Sequence, residues 1–593
     1  GFLGAEVCVC ACVFAMGNTE AKTQEVARAR RSSVVHECSF PMYLVKVTDF
    51  LKMECVPDPH HVLRQKELLH QWQPGMFVIF ISHQWLGAKS CDPNGKQLLV
   101  LRQALEAFID GTMKVEVDLM KTFGAPLEGA SYEQVADGYL FLDWFAIPQI
   151  TARTDGVNDD ATRSDAARAV QSIPAYVENC DLFLALVPEL VHTDTKNACN
   201  YATWLSRGWC RAELWCRVLS NRKDTRLIVI FSAKEALFIS PMDWQRNLIS
   251  DGMFTVESDR EVVAKLGEMA LTGKIQSLLR WGCLDDYRFY LSLQQKLLDQ
   301  TKQTSDLPGF LKHFKFPSME AAVKDQSGMT GMLCAILSSD VEILETLVQQ
   351  NANVNARVTG LRHLGYSDTV TLLMVALYSG QDLQMVSKLM TLKADPNLAC
   401  ISDSGSIITT SWLVCRPDYV QVLLEYRADF NTSNALVGVV GNGSVETVQA
   451  LLEARCDPMN VPANGFGPMI STGFFGRGNH HACDNMKLLL AARGDANERA
   501  EPKGQLYWDC LKAQICVKLH GLDKCGVYQR QLASLPGATA LSIAAVMGDK
   551  ALVQLLLEHN AEHIKNERGD SPEDLARAGG HTDLLPILST FAV

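Results

Sequence analysis

The chain has 593 residues, too many for one hydrophobic core, and its composition of 47% hydrophobic and 21% charged residues is that of an ordinary folded protein of about two to four domains. A net charge of -12 at pH 7 excludes the concentrated Lys and Arg of a general nucleic-acid binder. No apolar run reaches the ~20 residues needed to span a bilayer, and the 19 cysteines, odd in number and scattered through apolar patterns, read as reduced thiols of a cytoplasmic protein.

Residues 1–70 are expected to form a polar arm and a helix. Gly1 to Ala15 is apolar and Cys-rich without the basic leader of a signal peptide, and the sequence leaves open whether it belongs to the native protein. A start at Met16 would expose Gly17 for myristoylation, although Ala21 stands where Ser or Thr is usual. Cys8, Cys10 and Cys12 lack the paired spacing of a zinc site, and His60-His61 and His480-His481 lack matching partners, so no metal is expected. Asn18 to Arg31 reads as the arm and Leu51 to Trp72 as holding the helix.

Residues 71–235 alternate short apolar runs with amphipathic stretches: Met76 to Ser82, Leu98 to Phe108, Tyr139 to Asp143, Ala166 to Glu178, Leu182 to Val187, Glu213 to Leu219 and Leu227 to Phe231. That alternation predicts βαβ units and a parallel sheet, and continuous apolar strands such as Leu227-Ile228-Val229-Ile230-Phe231 predict burial on both faces. Ligands of open sheets gather beyond the carboxyl ends of the strands, where Ser82, His83, Asp143 and Trp144 fall. The phrase Ser206-Arg207-Gly208-Trp209-Cys210-Arg211-Ala212-Glu213-Leu214 is expected to open a helix with a carboxylate at its start.

Phe80-Ile81-Ser82-His83, Leu142-Asp143, the helix holding Ser172-Ile173-Pro174, the strand Leu182 to Leu186 and the Trp209-Cys210-x-x-Glu213-Leu214 phrase together resemble the Toll/interleukin-1 receptor (TIR) domain. The resemblance implies a flavodoxin-like α/β fold and self-association. In plant-type TIR domains that phrase includes the glutamate used to cleave NAD, which implies NAD as substrate, no required cofactor, and Glu213 as catalytic carboxylate. The chain departs from the pattern at His83-Gln84-Trp85 and at Ile147-Pro148-Gln149 with its polar loop Thr151 to Ser164.

Each candidate carries a chemical and a structural reading. Breaking the nicotinamide-ribose bond builds an oxocarbenium-like centre that a carboxylate at Glu213 would stabilise. An acid in a first helical turn also complements the helix dipole, with Arg217 four residues on. Asp143 would orient a ribose or a water, or satisfy a turn; His83 would contact phosphate or act as an acid, or be a half-buried hydrogen-bonded residue. Trp85, Trp144 and Trp209 would stack on a base or belong to the core, and Arg207 and Arg211 would hold a pyrophosphate or be solvated. The nearest approach to a P-loop, Gly267 to Ile275, has Glu268 and Ile275 where Gly and Ser or Thr are required, and no hydrolase elbow, zinc-protease helix or kinase set occurs.

Residues 236–320 read as a helical connector, with Asp259 to Leu298 amphipathic. From 321 to 593 short phrases recur, among them Asn351-Ala352-Asn353-Val354-Asn355, Lys393-Ala394-Asp395-Pro396-Asn397 and Arg427-Ala428-Asp429-Phe430-Asn431, each closing an apolar helix. With a period of about 33 residues and Thr539-Ala540-Leu541-Ser542-Ile543-Ala544 in the place of Thr-Pro-Leu-His-x-Ala, the segment resembles the ankyrin repeat. This implies an all-α solenoid of about six repeats with a terminal cap near Ser571 to Leu588, binding a protein partner. An insertion at about 499–536 carries Tyr507 and Trp508, expected either to contact a partner or to pack Trp508 against the solenoid. The function these features predict is signalling: the repeats bind a protein, and the α/β domain hydrolyses NAD or serves as a non-catalytic adaptor.

Overall fold

The computed structural model describes residues 38–53, 56–113, 115–117, 134–150, 159–222, 227–238, 243–300, 306–324, 328–401, 407–408, 416–432, 434–441 and 443–590. The expectations for Cys8, Cys10, Cys12, Met16, Gly17 and the arm Asn18 to Arg31, and most of the loop from Thr151, lie outside these residues.

The first half is built on one sheet. Its strands are β1 (Tyr43–Lys46), β2 (His70–Gln71), β3 (Val78–His83), β4 (Val115–Val117), β5 (Tyr139–Leu142), β6 (Leu182–Leu186), β9 (Ile228–Ser232) and β10 (Glu235–Phe238); β7 (Leu190–Val191) and β8 (Ala198–Cys199) form a separate small hairpin. The order across the sheet is β2-β1-β5-β3-β6-β9-β10-β4. Neighbours among β5, β3, β6 and β9 are parallel, whereas β1 joins β5, β2 joins β1 and β10 joins β9 antiparallel. The sheet is therefore mixed, a correction to the expected parallel one. The sheet also extends beyond residues 71–235: β1 falls within 1–70, β2 begins at His70, and β10 runs on to Phe238.

Every residue of β3 and β6 is buried, as continuous apolar runs covered on both faces should be. Phe80 stacks between Phe141 and Phe183 at centroid separations of 4.8 and 5.1 Å, fixing the register of the three central strands. The helices Lys96–Ile109, Ile173–Asn179 and Gly208–Val218 follow β3, β5 and β6. Arg217, fully buried, donates to the carbonyls of Cys180 and Asp181 at 3.0 Å and so pins the last of these helices to the entrance of β6.

The helix Asp259–Trp281 packs on Gly208–Val218, and Leu284–Leu297 packs on Gly331–Leu337, so this pair joins the sheet domain to the helices beyond it. Those helices recur in pairs: Gly331–Leu337 with Val341–Gln349, Leu372–Tyr378 with Leu383–Thr391, Ala435–Val439 with Val445–Glu453, Pro468–Phe475 with Ala482–Ala491, and Ala540–Met547 with Lys550–Glu558. Thr330, Thr371 and Thr539 cap first helices, and Asp340, Asp382, Ser444 and Asp549 cap second ones, each accepting a backbone N–H three residues on. The second helices, and the helix Pro417–Glu425 that stands between the second and third pairs, end at left-handed residues, Asn351, Lys393, Arg427, Arg455, Arg493 and Asn560, with φ between 61° and 69°.

The recurring phrases gain a physical meaning here. The Asn355 side chain accepts from the Asp395 N–H at 2.8 Å, Asn397 from Asp429 at 2.8 Å, and Asn431 from Asp457 at 3.4 Å, so each turn is tied to the next. Met459 takes the asparagine's place in the following turn, and the Asp495 N–H meets its sulfur at 3.2 Å. Asn497 then accepts from Glu562 at 2.8 Å, across the whole insertion. The insertion is a helical hairpin, Gly504–His520 against Val527–Ser534, closed at its base where Ala500 and Ala538 pair at 2.8 Å. Trp508 does not pack against the repeats: it is 57% exposed, in a helix whose inner side is Cys510, Ala513 and Val517.

Candidate functional site

Among the four parallel strands the chain enters the sheet at β3, adds β5 on one side, then crosses back to add β6 and β9 on the other. The strand order thus reverses at β3, and the carboxyl end of such a strand is where open sheets leave room for ligands. Ser82 and His83 end β3, and Asp143, directly after β5, starts the short helix Asp143–Ala146.

Glu213 reaches the same place. It is the sixth residue of the helix Gly208–Val218, not a first-turn acid, which removes the expected dipole role and turns the side chain toward the sheet. Ser82 Oγ donates to Glu213 Oε2 at 2.5 Å and accepts from Trp204 Nε1 at 3.0 Å. Ser82 and Trp204 are fully buried. Burial pushes the Glu213 carboxyl up to about 8; the Ser82 hydrogen bond opposes the shift, Asp143 adds to it and His83 opposes it.

Beside this pair lies a second one of opposite character. His83 Nε2 meets Asp143 Oδ1 at 2.9 Å and His83 Nδ1 meets Gln97 Oε1 at 2.9 Å. With the Asp143 carboxylate on one ring nitrogen and the Gln97 amide oxygen on the other, the arrangement favours the protonated ring. Burial works against that charge, but the Asp143 carboxylate and the two hydrogen bonds outweigh it and raise the pKa. Burial would likewise raise Asp143, yet His83 and the hydrogen bonds from His83 and Trp85 hold it below the usual carboxylate range. Trp85 Nε1 donates to Asp143 Oδ2 at 2.8 Å, and Gln149 Nε2 to the Asp143 carbonyl at 2.9 Å. Asp143 keeps 31% of its side chain exposed and His83 only 2%. The cluster therefore joins a carboxyl that is protonated at neutral pH to one that is ionised, the separation on which acid and base roles rest.

No family model and no curated protein matches the chain. Among solved structures it is similar to the ankyrin repeat domain of Bcl-3, a member of the IkappaB protein family, with 22% identity, a TM-score of 0.29, and coverage of 44% of this chain and 99% of that one.

The remaining sequence candidates are placed elsewhere or otherwise engaged. Trp144 is buried against Trp85, rings 5.6 Å apart, with its Nε1 on the Pro57 carbonyl at 2.7 Å. Trp209 donates to Asp259 at 3.0 Å. Arg211 donates to the carbonyls of Leu205 and Leu248, both at 2.6 Å, and Arg207 to the Thr255 hydroxyl at 3.1 Å. Both arginines thus brace residues 248–255, a different placement from the pyrophosphate cradle that their sequence position suggests. Sequence reasoning missed Trp204 and Gln97. Trp204 belongs to a separate helix, Tyr201–Ser206, which the extended Arg207 ends before the helix of Glu213 begins, so helical spacing carried no signal for it; Gln97, in the first turn after a glycine-containing loop, gave none either.

Among the described residues no group of three His, Cys, Asp or Glu could hold a metal, and no helix is long and apolar enough to cross a membrane. A shallow groove lined by Gln73, Gly75, Met76, Gln134 and Asp137 lies at the amino ends of β3 and β5, the opposite end of the sheet from Glu213.

Proposed function

We propose that the helical repeats, read as an ankyrin-like solenoid, bind a protein partner, and that the α/β domain, read as TIR-like, cleaves the nicotinamide-ribose bond of NAD. The observation that carries the second part is the Ser82–Glu213 hydrogen bond at the point where the strand order reverses. In the reaction the C1′–N bond breaks, its electron pair leaves with neutral nicotinamide, water adds at C1′, and one proton is released with ADP-ribose. Glu213 as a carboxylate would stabilise the oxocarbenium-like centre, and the pyridinium charge of bound NAD favours that ionised form. Asp143, ionised and partly exposed but held at a low pKa that makes it a weak base, is suited to orient the ribose or the attacking water, and the proton passes to solvent. Ser82 orients Glu213, and His83 with Gln97 orients Asp143.

The test is release of nicotinamide from NAD by the full chain, before and after forced self-association. Glu213→Ala is expected to lower the rate by about 10²- to 10³-fold, as loss of one charge-stabilising group does. The rate should rise with pH through an apparent pKa at or below about 8. Undiminished release by Glu213→Ala would remove Glu213 from the reaction. A binding-only reading is favoured by one observation: the guanidinium of Arg211 is spent on backbone carbonyls. Absence of release under all these conditions would establish it.

A further inference from the structure

One of the places where the repeats reach the sheet domain is a short turn. Gly476–Gly478, between the helices Pro468–Phe475 and Ala482–Ala491, packs on the helix Tyr201–Ser206. Arg477 in that turn makes a two-pronged ion pair with Glu235 of β10, its Nη2 at 3.3 Å from Oε2. Both side chains are buried, 9% and 1% exposed.

The same guanidinium lies over the Phe231 ring, 3.6 Å from its centroid. Phe231 meets Tyr201 edge to face at 5.6 Å, and Tyr201 stacks on Trp204 at 6.1 Å with 17° between planes. Trp204 holds Ser82, and Ser82 holds Glu213. Each step is a contact between groups that pack closely, and an arginine plane on an aromatic face fixes the ring in a way that a flexible ammonium does not.

We propose that Arg477 is a positioning residue through which the helical repeats set the orientation of Trp204, and hence of the Ser82–Glu213 pair. Its regulatory sense rests on reading that pair as the reacting site; its structural sense does not. A protein bound to the repeats near this turn would alter the pair by moving one side chain, with no contact to the sheet domain.

The test uses the full chain carrying Arg477→Met, which keeps a flexible stem and loses the planar cation. Because buried Glu235 would lose its closest cation and keep only His581, at 3.7 Å, and the field of Arg530, Arg477→Met is also combined with Glu235→Gln. The readout is hydrogen exchange of residues 201–206 by mass spectrometry, together with the fluorine resonance of 5-fluorotryptophan at position 204, assigned with Trp204→Phe. Expected are at least tenfold faster exchange of 201–206 and a shifted resonance in both variants, with a smaller change in Arg477→Lys. Unchanged exchange and resonance in the folded double variant would overturn the proposal. If the wild-type chain releases no nicotinamide, the NAD reading fails, while these two measurements still decide whether Arg477 positions Trp204.

Discussion

The two halves of the molecule solve the same problem, holding a polar side chain in a fixed place, by opposite routes. In the helical repeats, an asparagine in every one of these turns but that of Met459 ties it to the next, and caps, left-handed residues and asparagines recur at fixed offsets. In the sheet domain, Ser82, His83, Gln97, Asp143, Trp204 and Glu213 come from five separate elements and converge only when the strand order is complete. Repeated local ties make a structure that tolerates the loss of one member, whereas a convergent cluster depends on every long-range pairing that builds it.

The contrast can be broken most sharply where the halves meet. Glu235→Ala removes the closest carboxylate of Arg477 in a buried contact, leaving only the fields of Glu189 and Asp549 to offset the cation, and a loss of up to about 3–5 kcal/mol is expected from urea unfolding of the full chain followed by tryptophan fluorescence. A loss comparable with that of an exposed pair would show that water reaches the contact. Next comes the pH dependence of Glu213. Its carboxyl is raised in the folded chain to about 8 from an ordinary value near 4.5, so the folded state holds the proton more tightly. Its contribution to stability is complete below about pH 4.5 and is lost as pH rises toward 8. Wild-type stability should therefore fall across that window more steeply than that of Glu213→Gln, measured by denaturation at several pH values; parallel curves would place Glu213 in water.

Within the repeats the effects should be smaller and nearly additive. Asn397→Ala removes two ties, to the Arg427 carbonyl and the Asp429 N–H, at an expected cost of about 1–2 kcal/mol. Met459→Asn offers the Asp495 N–H an oxygen in place of a sulfur and should stabilise by about 0.5–1 kcal/mol. Both are read by the same unfolding measurement, and a destabilising Met459→Asn would show that the turn has adapted to the longer side chain.

This contrast also governs what could be read from the chain. The phrase ending in Asn355, Asn397, Asn431 and Asn497 is visible because the same hydrogen bond imposes the same residue at each turn. Ser82, His83 and Asp143 were visible because polar residues stand out at the ends of apolar runs. Glu213 was found, but its turn was misjudged: the helix starts at Gly208, where close approach of Phe254 leaves no room for a side chain, five residues before the acid. The short strands β1, β2 and β4 were illegible, since two to four residues carry no period of their own and owe their conformation to pairing partners far along the chain. The fate of Arg207 and Arg211 was equally hidden, because it depends on the Leu248 carbonyl, 37 residues away, for Arg211 and on Thr255, 48 residues away, for Arg207.

The hairpin looped out between Asn497 and Glu562 has one more consequence. Its second helix, Val527–Ser534, lies against β4, the last strand at that margin of the sheet. A margin strand offers unsatisfied backbone donors and acceptors to any passing chain, and burying it beneath a helix is one way proteins stay monomeric. The base of the hairpin is narrow enough that a shortened chain could close directly from Ala500 to Ala538 and keep its stacking. Such a chain would gain a sticky border, and its fault would surface as intermolecular strand addition rather than as unfolding.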